Sequence, residues 1–188
     1  MERKTKLKKV KVLFGKYFFG PDEITKVFNR DIVIPKIKYD MRSLKKHKDT
    51  HILILGTELS IMDMRYLFCF DKNPCFYNQD WYINEDFAKL KLKNKWYLLQ
   101  KDLSPKTRGK LPNKKHKLPS AVLTTYTFFV NYIINNEILW ENDYVWNSDK
   151  DNYGDRIYTG KYKNDIKDGF NIHRHLSIKN NYGVIKQL

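Results

Sequence analysis

The stretch Pro119–Leu139, PSAVLTTYTFFVNYIINNEIL, constrains the fold more than any other part of the chain. Val122, Tyr126, Phe129 and Ile133 recur at spacings of four, three and four, which puts them on one stripe of an α-helix. Leu123, Val130 and Ile134 widen the stripe. Phe128 and Tyr132 lie off it, so the helix is expected to be covered on more than one side. Pro119 and Ser120 stand where a helix starts, because Pro is tolerated in the first turn and Ser caps the open N–H groups. Asn135 and Asn136 mark its end. A membrane span needs about 20 consecutive apolar residues. Asn131, Asn135, Asn136 and Glu137 interrupt this run too early, so it reads as a core helix and no membrane partner is expected.

The rest of the chain arranges itself around that helix. Residues 1–9 read as a basic tail, and Val10–Phe14 as a short strand. Pro21, Asp22 and Glu23 open a helix whose apolar face is Ile24, Val27 and Phe28. Pro35 demotes Asp31–Tyr39 to an edge strand or extended segment. Asp40 caps a short basic helix to Lys48. His51–Leu55 is a continuous apolar run closed by Gly56, as in a buried strand. Ser60 and Asp63 form a capping box for the next helix. A short helix follows from Asn84 to Leu90, and Lys95–Lys101 reads as a strand. Beyond the central helix the period changes to two. Tyr144–Asn147, Arg156–Tyr162, Phe170–Ser177 and Tyr182–Lys186 are four predicted strands, separated by turn signals such as Asn152-Tyr153-Gly154-Asp155. The expected fold is α+β: a mixed α/β N-terminal half, one central helix, and a C-terminal antiparallel β-meander packed on it. The expected organisation is a basic tail at 1–9 and one globular domain at 10–188, with a basic loop at 104–118.

Charge narrows the function classes. The formal net charge is +15, which favours nucleic acid, nucleoprotein or another anionic partner. Lys far outnumbers Arg, and Asn, Ile and Tyr are abundant. All four of Lys, Asn, Ile and Tyr have AT-rich codons, so base composition is a competing source of lysine. The distribution argues for a binding face nonetheless. Residues 1–50 carry a net +9, residues 51–70 a net −1, residues 71–120 a net +7, and residues 121–188 are neutral. Two segments concentrate the cations. Lys4, Lys6, Lys8 and Lys9 lie in the tail. Lys106, Arg108, Lys110, Lys114, Lys115 and Lys117 lie in Ser104–Leu118, a Pro- and Gly-punctuated loop that reads either as mobile and solvated or as an anion contact. Trp81, Tyr82, Trp96 and Tyr97 sit in the basic middle, where aromatics either fill the core or stack on bases.

The sharpest local chemistry is His173-Arg174-His175. On a strand, residues two apart share a face, so the two imidazoles would work as base and acid in metal-free RNA cleavage, with Arg156 or Arg174 stabilising the phosphorane. A zinc site needs further ligands; Asp149, Asp151, Asp155 and His51 are the available ones, and no metal or cofactor is expected. The acids at Asp149–Asp155 superficially suggest a calcium loop. Tyr153 and Gly160 break its ligand pattern, so a hairpin turn is the better reading. Cys69 and Cys75 do not make a disulfide framework. With no secretory signal, cytoplasm is the expected location. The chain carries no phosphate-cradling Gly loop, nucleophile elbow or zinc-protease helix.

The stretches W-Y-x-N-E-x-F from Trp81, K-W-Y-L-L-Q-K from Lys95, L-P-S-A-V from Leu118 and W-N-S…G-D-R-I-Y-x-G from Trp146 to Gly160 resemble small uncharacterised bacterial proteins of candidate-phylum genomes. The resemblance implies no particular activity. The sequence thus leads to a nucleic-acid-binding or nucleoprotein-associated protein, RNA before DNA. The alternatives are a small nuclease using His173 and His175, and a protein-interaction or mobile-element accessory protein whose charge is compositional.

Overall fold

Along the chain the elements are α1 (Glu2–Phe14), a 3-10 turn, β1 (Phe18–Phe19), α2 (Pro21–Phe28), α3 (Met41–His47), β2 (His51–Leu55), α4 (Ile61–Leu67), α5 (Asp86–Lys89), β3 (Trp96–Gln100), a second 3-10 turn, α6 (Ala121–Asn135), β4 (Tyr144–Lys150), β5 (Arg156–Gly160), β6 (Asn171–His173) and β7 (Tyr182–Gly183). This is an α+β fold. A computed structural model describes residues 2–69, 73–160 and 169–188, with the backbone alone for residues 2–4.

The central helix α6 is buried continuously from Ala121 to Asn131. Its N-terminus is satisfied twice: Ser120 Oγ accepts from the Leu123 amide at 3.3 Å, and Asp149 Oδ2 accepts from the Ala121 amide at 2.6 Å. A carboxylate there also complements the helix dipole. One side of α6 packs on α2, α4 and α5, and another on β4 and β5. Phe129 stacks on Phe68 at 4.3 Å between ring centroids, Tyr126 stacks on Phe28 at 5.1 Å, and Phe128 on Phe170 at 4.5 Å. Several of the polar groups buried with it find partners, whereas the Thr125 hydroxyl has none among the described residues. The Tyr126 hydroxyl donates to Leu55 O at 2.9 Å, and Thr124 meets the Thr159 hydroxyl at 2.8 Å.

Two sheets flank this helix. The N-terminal sheet has the order β1-β2-β3, with β1 parallel and β2 antiparallel to their successors. The C-terminal sheet has the order β6-β5-β4-β7. Strands β4, β5 and β6 form the expected antiparallel meander. The fourth strand departs from it: β7 pairs parallel with β4, Tyr144 opposite Tyr182. The chain then runs on to the outer edge of β3, where Gln187 bridges Leu99 and the Leu188 amide donates to Leu98 O at 3.0 Å. The C-terminal residues thereby tie the two sheets together and cover an edge that would otherwise stand open.

Three further expectations are corrected or narrowed. The basic tail and the strand at Val10–Phe14 are one helix, α1, because Leu7, Val10 and Phe14 recur at helical spacing and pack into the core. Of the two readings of Asp31–Tyr39, the edge strand does not form, and Trp96 Nε1 donates to Pro35 O in this segment. The loop 104–118 is fastened rather than loose, as described below. Lys161 and Tyr162, the end of one predicted strand, lie outside the described residues.

Candidate nucleic-acid interface

Alternation along β4 and β5 builds two different sheet faces. Val145, Asn147, Ile157 and Thr159 face α6. Tyr144, Trp146 and Tyr158 face the other way, and with Tyr182 and Val184 they form a separate aromatic cluster. The loop 104–118 crosses this outer face. The Ser104 amide donates to Val184 O at 2.8 Å, the Gly109 amide to Tyr182 O at 2.9 Å, and Trp146 Nε1 to Lys110 O at 3.1 Å. Leu118 packs on the aromatic cluster, and the Gln187 amide donates to Lys117 O at 3.2 Å. Gly109 has φ +68°, and a Cβ there would sit 2.8 Å from Asn180 Oδ1, so glycine is required at this crossing.

The loop is therefore held by backbone bonds at 104–110 and at Lys117, and most of its cationic side chains are left outward. Lys106, Lys110, Lys114, Lys115 and Lys117 are exposed, and none forms an ion pair with a described residue. Arg108 is the exception. It makes a bidentate pair with Asp143, both bonds 2.7 Å, and fastens the loop rather than offering a free guanidinium.

The basic surface continues beyond the loop. Lys117 O holds Gln187, and the neighbouring Lys186 O accepts from the Gln100 amide at 2.9 Å. The Lys101 amide donates to Thr50 O at 3.0 Å. These bonds gather the loop, the C-terminal residues and the start of β2 at one end of the N-terminal sheet. Helix α3 leads into the same end, with Arg42, Lys45 and Lys46 exposed and His47 in ring contact with His51 at 4.6 Å. Burial, then His47, Lys186 and Lys101, push the His51 imidazole down to about 4. That shift reflects both desolvation and a positive field. The sequence showed α3 as basic, yet Lys101, Lys186 and the histidine pair join the face only through tertiary contacts.

The N-terminal lysines behave differently. Lys6 Nζ donates to Ile37 O and Tyr39 O at 3.1 and 3.0 Å, so it ties α1 to the segment before α3. Lys8 and Lys9 are exposed on α1. The side chain of Lys4 lies outside the described residues.

The His173/His175 pairing is not formed as expected, because β6 ends at His173 and His175 turns into the left-handed region at φ +62°. His173 Nε2 lies 3.0 Å from Asn171 Oδ1, and its ring packs beside Tyr144. His175 Nε2 lies 3.2 Å from Asp155 Oδ2. Both arginines are engaged elsewhere. Arg156 donates to Asn147 O at 3.0 Å. Arg174 bonds Asp151, lies 3.6 Å from Glu85, and stacks on Trp81. Asp151, Asp155 and His175 bring three metal-type ligand atoms within 4.8 Å of one another. Asp151 is already occupied by Arg174 and by the Tyr153 and Asp155 amides, so the guanidinium holds the place a cation would take. Burial pushes the Asp151 carboxyl up, but those three bonds outweigh it and leave it below its usual range. Tyr82, Trp96 and Tyr97 are core residues, and Trp81 lies under Arg174, so none is a free stacking platform.

No family model, curated protein or solved structure matches the chain. Among the described residues no helix is long and apolar enough to cross a membrane.

Proposed function

We propose that the protein binds nucleic acid along the basic face formed by the loop 104–118, Lys101, Lys186 and α3. The observation that supports this reading is the loop itself: its backbone is fastened to the sheet at 104–110 and at Lys117, while five of its lysines stay exposed and form no ion pair with a described residue. Ordered cations lose less freedom on binding than cations on a free tail. Lysine contacts phosphates as a point charge and reads no base edges. The expected binding is therefore governed by charge, tolerant of sequence and steeply dependent on salt. RNA is the first form to test, and a nucleoprotein would offer the same phosphates. The proposed role is binding, and the proposed location is the cytoplasm.

The test compares two sets of substitutions. Lys114→Gln, Lys115→Gln and Lys117→Gln together remove three cations from the face. Lys89→Gln with Lys91→Gln removes two exposed cations near Gly56 and Lys95, at the opposite end of the β2–β3 pair. The triple variant is expected to weaken binding to single-stranded RNA about tenfold at low salt and to flatten the salt slope by about 2. The double variant should bind as the parent protein does. Equal affinity for the parent and the triple variant would overturn the reading.

A further inference from the structure

One part of the basic face is concave. A cleft of about 440 Å³ opens between the second 3-10 turn and the C-terminal residues, lined by Ser104, Lys106, Thr107, His116, Val184 and Lys186. Its volume falls in the range of small-ligand sites, about 300–1,000 Å³. Among the described residues no carboxylate lines it. We propose that this cleft is a phosphate-monoester pocket that seats a terminal or free nucleotide, with Lys106, Lys186 and His116 around the phosphate. This rests on the nucleic-acid reading and adds the ligand class to it.

The floor of the cleft is built before any ligand arrives. The Thr107 hydroxyl donates to Ser104 O at 2.7 Å and accepts from the Val184 amide at 3.0 Å, while the Ser104 amide donates to Val184 O. The turn and the C-terminal residues are thus fixed to one another, and Lys106 and Lys186 project from the two sides. His116 is oriented by its own turn. The Asn113 amide donates to His116 Nδ1 at 3.2 Å, so in the neutral ring the proton sits on Nε2, free to donate into the cleft. Ser104 Oγ reaches Gln100 Oε1 only at 3.4 Å, a long bond that a phosphate oxygen would replace. Val184 and Pro105 give an apolar wall for a sugar or base.

Charge distinguishes an end from an internal linkage. A phosphate monoester carries about −1.5 to −2 at neutral pH, whereas a diester inside a strand carries one negative charge. Two lysines lining one concave cleft favour the former. Lysines strung along the open loop suit the latter.

The test uses the intact protein with short single-stranded RNA bearing a 5′-phosphate, a 3′-phosphate or hydroxyl ends, and separately with adenosine monophosphate in calorimetry. One phosphorylated end is expected to tighten binding about tenfold over the hydroxyl end. Lys106→Ala, Lys186→Ala and His116→Ala should each erase that preference. The triple substitution at Lys114, Lys115 and Lys117 should weaken all RNAs alike and keep it. If RNA does not bind but the mononucleotide does, and the cleft variants abolish it, the pocket stands with a free nucleotide as its ligand, and the nucleic-acid reading falls. RNA bound equally whatever its ends, with no uptake of the mononucleotide, overturns the pocket and leaves that reading intact.

Discussion

Asp151 and Glu85 are buried carboxylates that share one guanidinium, Arg174. Through it the end of β6, the β4–β5 turn and the N-cap of α5 are tied together. Removing one partner of a buried pair strands the other charge. Arg174→Ala is expected to lower stability by about 3 kcal/mol, read from urea unfolding. Arg174→Lys should recover only part of that, since an ammonium neither forks nor stacks on Trp81. A second residue gives a pH signature. Unfolded His51 protonates near 6.5, and folded His51 near 4. Between those values the unfolded chain binds more protons, so stability rises with pH across the window. The contribution is complete above about pH 6.5 and is lost as pH falls towards 4, on the order of 2 kcal/mol after allowance for solvent screening. Unfolding midpoints of the parent protein and His51→Asn at pH 4.5 and 7 check this, because the variant should lack that part of the slope. At this scale the sequence was least informative. The H-x-H pair looked like shared chemistry only while the strand was assumed to continue, and a single left-handed residue, His175, ends that alignment.

Elements with a wide apolar stripe were legible, and those specified by a few contacts were not. α6 was readable because its stripe and its Ser120 cap agree, and β2 because five consecutive residues are buried. α1 was hidden because Leu7, Val10 and Phe14 are thinly spread among lysines, and charge drew the eye to a tail. The parallel pairing of β7 carries no local signature, since two residues do not record the direction of their partner. Phe129→Ala, at the stacked contact between α6 and α4, is expected to cost about 3–5 kcal/mol and to test that α6 is the core. Gly109→Ala should act on the loop instead. A Cβ at φ +68° meets Asn180 and disturbs the crossing over Tyr182. Faster amide hydrogen exchange at residues 104–118, with little change in the core, is the expected result, and unchanged exchange would show that the loop is not held there.

Over the whole molecule, the uneven charge pointed to a binding face before any element was placed. Which lysines share that face was not legible, because the grouping depends on the C-terminal residues running along β3 and on the loop lying across the aromatic side of the second sheet. Arg108 and Lys6, both expected as phosphate contacts from sequence, are structural fasteners, and the proposed face draws on Lys101, Lys186 and α3 instead. A compositional excess of lysine would leave affinity for polyanions weak and insensitive to these positions. The most direct measurement is the affinity of the intact protein for single-stranded RNA and duplex DNA across a salt series. The account predicts log–log slopes steeper than about −3, from five or more phosphates neutralised together. Absence of binding at low salt, or affinity indifferent to salt, would contradict it.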